Sequence, residues 1–256
     1  MADKHVLVTG GGSGIGEGIV HVLAGRGWHV VVNDVNAEKA AAVAKAVGGI
    51  ALPGDVDKDA ERLIAESVKQ CGSLHGLVNN AGIIMRSMLE SIPDEHIDRT
   101  FSVNLRATVR LSRFAMPHLE KTGGSIVNIV SIAGTNASPA VGSYTPSKAG
   151  LLALTRLMAV EWGPLGVRCN AVGPGLIPTE GAGVYGDPEV KAARAAAVPI
   201  GRLGTPLDIA NAVAFFASEQ SSYVNGQALF VDGGLTQSLM TFLPRPKGVA
   251  GPQLKK

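Results

Sequence analysis

The stretch that decides the fold is His5-Val-Leu-Val-Thr-Gly-Gly-Gly-Ser-Gly-Ile-Gly16, an apolar run followed by a glycine-rich turn. The apolar run predicts a buried strand, and the residues from Gly14 onward predict a helix. Glycine permits the positive φ of such a turn and lets a pyrophosphate approach the backbone. The unpaired N–H groups at the start of the helix would bind that anion. The turn therefore predicts a dinucleotide site, although its spacing, Gly-x-x-x-Gly-x-Gly, differs from the commoner Gly-x-Gly-x-x-Gly.

Short apolar runs alternate with longer Ala-rich helical patterns along the rest of the chain. The runs that predict strands are 5–9, 28–33, 76–78, 125–130, 167–172 and 228–231, with a weaker run at 50–52. The stretches that predict helices are 14–24, 37–47, 57–71, 98–119, 144–161 and 207–218. This alternation implies parallel crossovers, and nearly uninterrupted apolar strands imply burial on both faces. We predict an α/β fold: a single-domain, doubly wound Rossmann fold whose parallel sheet of about seven strands is flanked by helices.

Two segments stand apart from this pattern. Residues 173–200 are rich in Gly, Pro and Ala between a strand and a helix, and we expect them to cover the substrate as a lid. Residues 244–256 predict a C-terminal tail without a regular element of its own. The dinucleotide-binding and catalytic domain is accordingly expected to span residues 1–243.

Composition excludes several classes of partner. The chain has 256 residues, 46% hydrophobic and 17% charged, with a net charge of +2, which is too small to indicate nucleic acid or a membrane surface. No run approaches the roughly 18 apolar residues of a membrane span. Cys71 and Cys169 are the only cysteines, so neither a disulfide framework nor a metal motif is expected, and the reducing cytoplasm is the predicted location.

The sequence assigns specific residues to the nucleotide. From the turn we assign Gly10, Ser13, Gly14, Ile15 and Gly16. Asp34 ends the second predicted strand, where a carboxylate accepts from the adenosine ribose hydroxyls and repels a 2′-phosphate. Since neither Ser13 nor Val35 offsets that charge, and Lys39 is expected to point away, NAD is predicted over NADP. The alternative for Asp34 is a turn or helix-cap residue. Asp55 and Val56 are assigned to the adenine, with an ordinary turn nearly as well supported.

A second constellation suggests acid–base chemistry. Tyr144 and Lys148 lie four residues apart in Tyr144-Thr-Pro-Ser-Lys148, so a helix would place them on one face. Pro146 requires Tyr144 to lie at the helix start, with Ser143 as a candidate cap. Lys148 would lower the Tyr144 pKa from its ordinary value of about 10, so that the phenol acts as base or acid near neutral pH. Ser131, at the end of the preceding predicted strand, would hold the substrate oxygen.

Several further motifs occur in a fixed order. They are Asn79-Asn-Ala-Gly82, Val103-Asn-Leu105, Pro174-Gly175 and Val231-Asp-Gly-Gly234. With the glycine turn, Ser131 and Tyr144-x-x-x-Lys148, they make the chain resemble the short-chain dehydrogenase/reductases over about positions 5–234. The order and combination of these motifs are highly specific.

The resemblance implies roles for particular residues. It implies a catalytic tetrad of Asn104, Ser131, Tyr144 and Lys148. Tyr144 and Lys148 are also assigned to cofactor binding, Lys148 at the nicotinamide ribose, and Asn104 holds a water that links Lys148 to solvent. It also implies two groups of residues that contact the cofactor. They are Asn80, Ala81 and Gly82 along its border, and Pro174, Gly175, Ile177 and Thr179 at the carboxamide and diphosphate.

The sequence predicts an oxidoreductase that moves a hydride between NAD and a secondary alcohol or ketone. The alternatives are an NADP-dependent 3-oxoacyl-carrier-protein reductase and, against the intact tetrad, a non-catalytic dinucleotide-binding protein. Leu176, Ile177, Val184 and Tyr185 favour a small, neutral or partly apolar substrate over a polyanion. Arg86 is better explained as a solvated arginine than as a substrate contact. The resemblance also implies a homotetramer built on the helices at 98–119 and 144–161 and on the last strand.

Overall fold

The structure, a computed structural model, describes residues 4–179 and 185–238. A seven-stranded parallel sheet in the order β3-β2-β1-β4-β5-β6-β7 runs through it, which confirms the predicted sheet. The strands are β1 Lys4–Val8, β2 Trp28–Val32, β3 Ile50–Ala51, β4 Gly76–Asn79, β5 Ser125–Ile129, β6 Arg168–Pro174 and β7 Ala228–Val231. The strand order reverses between β1 and β4, the switch point at which ligands bind in such sheets.

Helices cover both faces of the sheet. They are α1 Gly14–Gly25, α2 Ala37–Val47, α3 Ala60–Cys71, α4 Asp94–Phe101, α5 Ala107–Thr122, α6 Tyr144–Trp162, α7 Pro188–Ala197 and α8 Pro206–Ala217. β1 shows how the sheet divides the core. Val6 and Val8 belong to one apolar cluster, with residues of α1 and α8, whereas Leu7 belongs to a second cluster, with residues of α3 and α5. Val6, Leu7 and Val8 are all apolar because both faces of the strand are buried there.

The prediction of one continuous helix at 98–119 was wrong. The structure places two α-helices there, α4 and α5, joined by a π-helical turn at Ser102–Arg106, which we call the π-turn. The first helix begins at Asp94, directly after Pro93, and the second ends at Thr122 before Gly123 in the left-handed conformation. A π-turn inserts one extra residue into the helical ladder and changes which side chains face the sheet.

Two further helices differ from the prediction. α3 begins at Ala60 rather than at position 57, because the Asp55 carboxylate accepts hydrogen bonds from the amides of Asp57 and Lys58 and holds them in a turn. α7 was missed in the Gly-, Pro- and Ala-rich segment, although Asp187 caps it and Pro188 occupies its first position. None of the helices in the described ranges is long and apolar enough to cross a membrane.

Candidate active site

The glycine turn, residues 9–16, opens one wall of a large cavity at the switch point. Gly10 and Gly14 have φ values of +61° and +58°, which L side chains rarely adopt. A Cβ on Gly16 would lie 1.9 Å from the carbonyl oxygen of Gly10, so that position admits only glycine. In the described part of the chain no side chain caps the start of α1. The amides at the start of α1 are therefore available to an anion.

Neighbouring segments hold this turn in place. The Asn80 side-chain amide donates to the carbonyl oxygens of Thr9 at 2.9 Å and Gly10 at 3.0 Å. The Thr9 hydroxyl accepts from the backbone amides of Asn80 and Ala81. The Asn79-Asn-Ala-Gly82 segment therefore acts first as a clamp on the glycine turn, and it borders the cavity from that position.

Asp34 lies where the sequence predicted it, just beyond β2 at the cavity wall. Its Oδ2 accepts from the amide of Gly12 at 3.0 Å and its Oδ1 from the amide of Asn36 at 2.9 Å. Each oxygen retains a second lone pair for a ribose hydroxyl. The Cβ of Lys39 lies 2.9 Å from where a Cβ on Gly12 would stand, so the base of this side chain is close to the turn. The expectation that its ammonium group points away stays a prediction.

Asp55 and Val56 line the far end of the same cavity. The Asp55 carboxylate is already engaged: Oδ1 accepts from the amide of Asp57 at 2.9 Å and Oδ2 pairs with Arg99 at 3.0 Å. Arg99 itself lines the cavity, a position that the sequence did not reveal. These bonds give Asp55 a structural role in addition to the predicted contact with adenine.

Ser131, Tyr144 and Lys148 form another part of the cavity wall, which we call the catalytic wall after the roles that the sequence predicts for them. Ser131 lies just beyond the end of β5, and α6 begins at Tyr144 with Pro146 in its first turn, as predicted. Ser143 occupies the N-cap position, but its hydroxyl finds no hydrogen-bond partner in the described part of the chain. The Lys148 Nζ lies 5.7 Å from the centre of the Tyr144 ring and donates to the carbonyl oxygen of Ile129 at 2.7 Å.

Burial controls the charges of this wall. Desolvation lowers the pKa of Lys148 from 10.5 to about 8. Desolvation also raises the pKa of Tyr144, and a hydrogen bond with the Ser131 side chain opposes the rise. The described residues by themselves therefore do not produce the predicted lowering of the Tyr144 pKa. The sequence revealed the position of the cation but not the burial of both groups.

Asn104 lies in the middle of the π-turn and is 1% exposed. Its Oδ1 accepts from the amide of Ile83 at 2.8 Å, and its Nδ2 donates to the Ile83 carbonyl and to the Ser147 hydroxyl, both at 3.0 Å. A Cβ on Gly82 would lie 3.3 Å from both Asn104 Oδ1 and Lys148 Nζ, so the two polar groups approach one point on the cavity wall.

The structure brings the predicted residues into a single cavity of about 990 Å³. The lining includes every residue assigned to the nucleotide together with the catalytic wall: Gly10, Ser13, Gly14, Ile15, Gly16, Asp34, Asp55, Val56, Asn80, Ala81, Gly82, Ser131, Tyr144, Lys148, Pro174, Gly175, Ile177 and Thr179. Asn104 adjoins this lining through Gly82. Gly181, Gly183 and Val184 of the predicted lid, and the tail at 244–256, lie outside the described residues.

The cavity also contains residues that sequence reasoning missed or set aside. Arg194 of α7 packs its guanidinium over the Tyr185 ring, 5.3 Å from the ring centre, and both line the cavity. Arg86, interpreted from sequence as a solvated residue, is part of the lining too. Polar residues after Ser131 and after β7 complete the wall: Asn136, Ser138, Thr236 and Ser238. The helix-start signal at Asp187 and Pro188 predicts a helix over 188–197, and that helix would have identified Arg194 as a candidate.

Comparisons with known proteins identify relatives of this chain. A family model described as enoyl-(acyl carrier protein) reductase matches residues 10–236. The 2-(S)-hydroxypropyl-CoM dehydrogenase 3 of Xanthobacter autotrophicus is 40% identical over 92% of this chain and 98% of its own length. The 3-oxoacyl-[acyl-carrier-protein] reductase FabG of Staphylococcus aureus is 37% identical over 91% of this chain and 98% of its own length.

A solved structure gives the same answer for the fold. The TT0495 protein from Thermus thermophilus superimposes with a TM-score of 0.87 and 33% sequence identity, covering 93% of this chain and 100% of that one. The chain therefore belongs to the short-chain dehydrogenase/reductase family and is an oxidoreductase of that family, which uses NAD(P).

Proposed function

We propose that this protein is an NAD-dependent dehydrogenase that interconverts a secondary alcohol and its ketone. The observation that carries the proposal is that the catalytic wall and the uncapped start of α1 face the same cavity. The helix start would bind the phosphates of a dinucleotide, and the phenol would move the proton that accompanies hydride transfer.

The cavity fits a dinucleotide. Gly14 lines the cavity at the start of α1, where a Cβ would lie 3.2 Å from the Thr179 side chain, Asp34 keeps lone pairs for a ribose, and Lys148 offers a second ribose contact. When bound, the dinucleotide supplies the hydride acceptor or donor and, when oxidised, a positive charge within the cavity. The residues of this chain bind it, orient the substrate and move the proton.

The proton step is assigned to Tyr144. In alcohol oxidation the phenolate takes the hydroxyl proton from the substrate, and in ketone reduction the phenol returns it. Ser131 donates a hydrogen bond to the substrate oxygen and stabilises the charge that develops there. Lys148, nearly fully buried, places its charge close to the phenol and opposes the burial that raises the Tyr144 pKa. Asn104, hydrogen-bonded to Ile83 and Ser147, supports the proton path between Lys148 and solvent.

Asp34 supports NAD as the cofactor. A 2′-phosphate on the ribose would meet a carboxylate that is already fixed by two backbone amides. Lys39 is the residue that could favour NADP instead, since the base of its side chain lies close to the glycine turn. Comparison of kcat/KM for NAD and NADP decides between the effects of Asp34 and Lys39.

The substrate is proposed to be small and partly apolar. Leu176, Ile177 and Val141 line the same cavity as the catalytic wall, together with Tyr185 and Arg194. The described part of the segment at 173–200 contributes several of these side chains, which supports its proposed role as a substrate lid.

The protein is further proposed to be a cytoplasmic homotetramer. Apolar side chains are exposed on the outer faces of two long helices, with Val109 at 42%, Leu157 at 53% and Val160 at 75%. Closed symmetry would bury such faces against a second copy. Cys71 and Cys169 are free thiols, which supports a reducing compartment. Light scattering that gives a monomer at micromolar concentration would refute the tetramer.

A second candidate is an NADP-dependent 3-oxoacyl-carrier-protein reductase. The similarity to the reductase of Staphylococcus aureus favours it, and Asp34 opposes it. A non-catalytic dinucleotide-binding protein is a third candidate, opposed by the catalytic wall.

One experiment separates the three candidates. The protein is assayed for kcat/KM with NAD and NADP against cyclic and acyclic secondary alcohols, and with NADH and NADPH against their ketones and a 3-oxoacyl thioester. The proposal predicts turnover of secondary alcohols with NAD. Faster reduction of the thioester with NADPH would establish the second candidate, and binding of a dinucleotide without turnover of any compound would establish the third.

A further inference from the structure

The π-turn at Ser102–Arg106 is anchored from outside the helix that contains it. Its first residue, Ser102, donates from its hydroxyl to Asp57 Oδ2 at 2.7 Å. Its last residue, Arg106, donates from Nε to Asp57 Oδ1 at 2.9 Å and from Nη2 to Asp57 Oδ2 at 2.6 Å. Both ends of the π-turn are thus bound to one carboxylate, and the Arg106 pair has the bidentate geometry that guanidinium and carboxylate prefer.

Asp57 is well suited to act as an anchor. It is 6% exposed, and the hydrogen bond from Arg106 holds the pKa of its carboxyl below the usual range, so it remains charged. Its carbonyl oxygen accepts from Arg110, one turn further along α5. Its amide donates to Asp55 at 2.9 Å, which ties it to the turn before α3. The anchor therefore joins a rigid turn beside the sheet to three positions on the π-turn and α5.

The residue midway between the anchored ends is Asn104. Its side chain makes three hydrogen bonds of 2.8 to 3.0 Å to Ile83 and Ser147. Bonds of this length fail when the backbone moves by about 1 Å. A π-turn is rare and short, and an ordinary α-helical path would shift Asn104 by one residue in register. The π-turn must therefore keep its conformation for Asn104 to reach the cavity wall at Gly82.

We propose that Asp57 is a positioning residue for catalysis, which clamps Ser102 and Arg106 so that the π-turn presents Asn104 to the catalytic wall. The proposal rests on the proposed function only for its kinetic consequence, because the clamp itself is a property of the fold. Asp57 touches neither substrate nor cofactor in this role and acts through Asn104.

The kinetic test is Asp57→Asn, which keeps the shape of the side chain and removes its charge. We expect kcat to fall about tenfold or more with little change in KM for NAD, since displacement of a catalytic group by about 1 Å costs up to about 100-fold. Ser102→Ala, which removes one arm of the clamp, should give a smaller decrease in kcat and is used if Asp57→Asn does not fold. A rise in KM for NAD with unchanged kcat would overturn the proposal, because it would show that Asp57 serves the nucleotide through Asp55.

The matched control is Asp59→Asn. Asp59 lies two residues away on the same turn, accepts from the amide of Asp55 at 2.9 Å and pairs with Arg62 at 3.2 Å rather than with the π-turn. Asn keeps an acceptor for the Asp55 amide and removes only the partly exposed ion pair, so kcat should change by less than about twofold. An equal fall in kcat for the Asp57 and Asp59 variants would reduce the role of Asp57 to general support of the turn and would overturn the proposal.

A double-mutant cycle with Asn104→Ala tests whether the effect passes through Asn104. Asp57→Asn should lower kcat much less in the Asn104→Ala background than in the parent, because the group it positions is already absent. Equal effects in both backgrounds would overturn the proposal.

Hydrogen exchange of the amides at 102–107 gives a readout that does not depend on activity. Exchange in this stretch should accelerate in Asp57→Asn and remain at the parent rate in Asp59→Asn. Unchanged exchange in Asp57→Asn overturns the clamp. A parent without any NAD-linked turnover overturns the proposed function instead, and the exchange result still decides on the clamp.

Discussion

The glycine turn and the catalytic wall face the same cavity, but they are built in opposite ways. In the glycine turn the backbone is closely hydrogen-bonded: Gly11 donates to Asn33, Gly12 donates to Asp34, and Asn80 clamps the carbonyl of Gly10. The catalytic wall buries the cation of Lys148, and the hydroxyls of Ser143 and Thr145 have no hydrogen-bond partner among the described residues.

The surroundings of the catalytic wall carry further destabilising features. Ala140, in the loop before α6, has a φ of +56°, a conformation that costs a residue with a Cβ about 1–3 kcal/mol. The π-turn interrupts the ladder between α4 and α5. Under the proposed function the glycine turn combines stability with binding, whereas at the catalytic wall the groups proposed for chemistry reduce stability. Substitutions on the two sides should accordingly differ in sign.

The largest expected effect is the loss of chemistry in Tyr144→Phe. The ring is kept and only the titrating hydroxyl is lost, so kcat should fall about 10²–10⁴-fold, the contribution typical of a general acid or base. NAD affinity, measured by fluorescence titration, should stay near that of the parent because the glycine turn is untouched. A kcat within a factor of about three of the parent would exclude Tyr144 from the proton step.

The glycine turn should respond to Gly16→Ala with losses of both stability and binding. The added Cβ would lie 1.9 Å from the Gly10 carbonyl oxygen, so the backbone must move, which costs about 3 kcal/mol in free energy of unfolding. The matched control is Gly25→Ala in the same helix, where nothing lies within 4 Å of the new Cβ. That variant should be neutral or up to about 1 kcal/mol more stable. Equal urea midpoints for the two variants would contradict the close approach at Gly16.

The catalytic wall should respond to Lys148→Met with a gain in stability and a loss of turnover. The folded-state pKa of Lys148 is lowered from 10.5 to about 8, so the unfolded chain binds this proton more tightly. The resulting penalty is complete below pH 8 and disappears as the pH rises towards 10.5. At pH 7 the free energy of unfolding of Lys148→Met should therefore exceed that of the parent by about 1–3 kcal/mol, and at pH 10 the difference should be smaller.

Chemical denaturation of parent and Lys148→Met at both pH values measures this effect. A variant that is less stable than the parent at pH 7 would show that the hydrogen bond from Lys148 to Ile129 outweighs the burial of the charge.

The smallest effect concerns cofactor preference at the glycine turn. The parent should favour NAD over NADP by at least tenfold in kcat/KM, about 1.4 kcal/mol, because of the charge of Asp34. Asp34→Ser with Val35→Arg should shift the preference towards NADP, since it removes repulsion and adds a phosphate partner. Lys39→Ala serves as the control and should leave the preference within a factor of about three. A parent that prefers NADP would overturn the role of Asp34.

The same contrast explains what the sequence could reveal. The glycine turn is contiguous, and its conformation is dictated by glycines at known spacing. Asp34 follows one strand later, so the sequence was enough to predict that the turn and Asp34 lie on one cavity wall. The cavity also unites Ser131, Tyr144 and Lys148 as the spacing suggested. The assigned roles of these residues remain predictions.

The parts that sequence reasoning missed depend on contacts between distant segments. The π-turn is hydrogen-bonded to Asp57, which lies 45 residues before Ser102. No local sequence pattern predicts this contact. The rise in the Tyr144 pKa follows from burial that only the packed fold creates. α7 was missed because a Gly-, Pro- and Ala-rich context outweighed a visible cap at Asp187 and Pro188.

The central claim, that this cavity transfers hydride between a secondary alcohol and NAD, is tested most directly by isotope transfer. The protein is mixed with NAD and secondary alcohols that carry deuterium on the carbinol carbon, and the reduced cofactor is examined by mass spectrometry. The account predicts one deuterium in the NADH formed by the parent and almost no NADH from Tyr144→Phe. Reduced cofactor without deuterium, or equal NADH formation by parent and Tyr144→Phe, would contradict it.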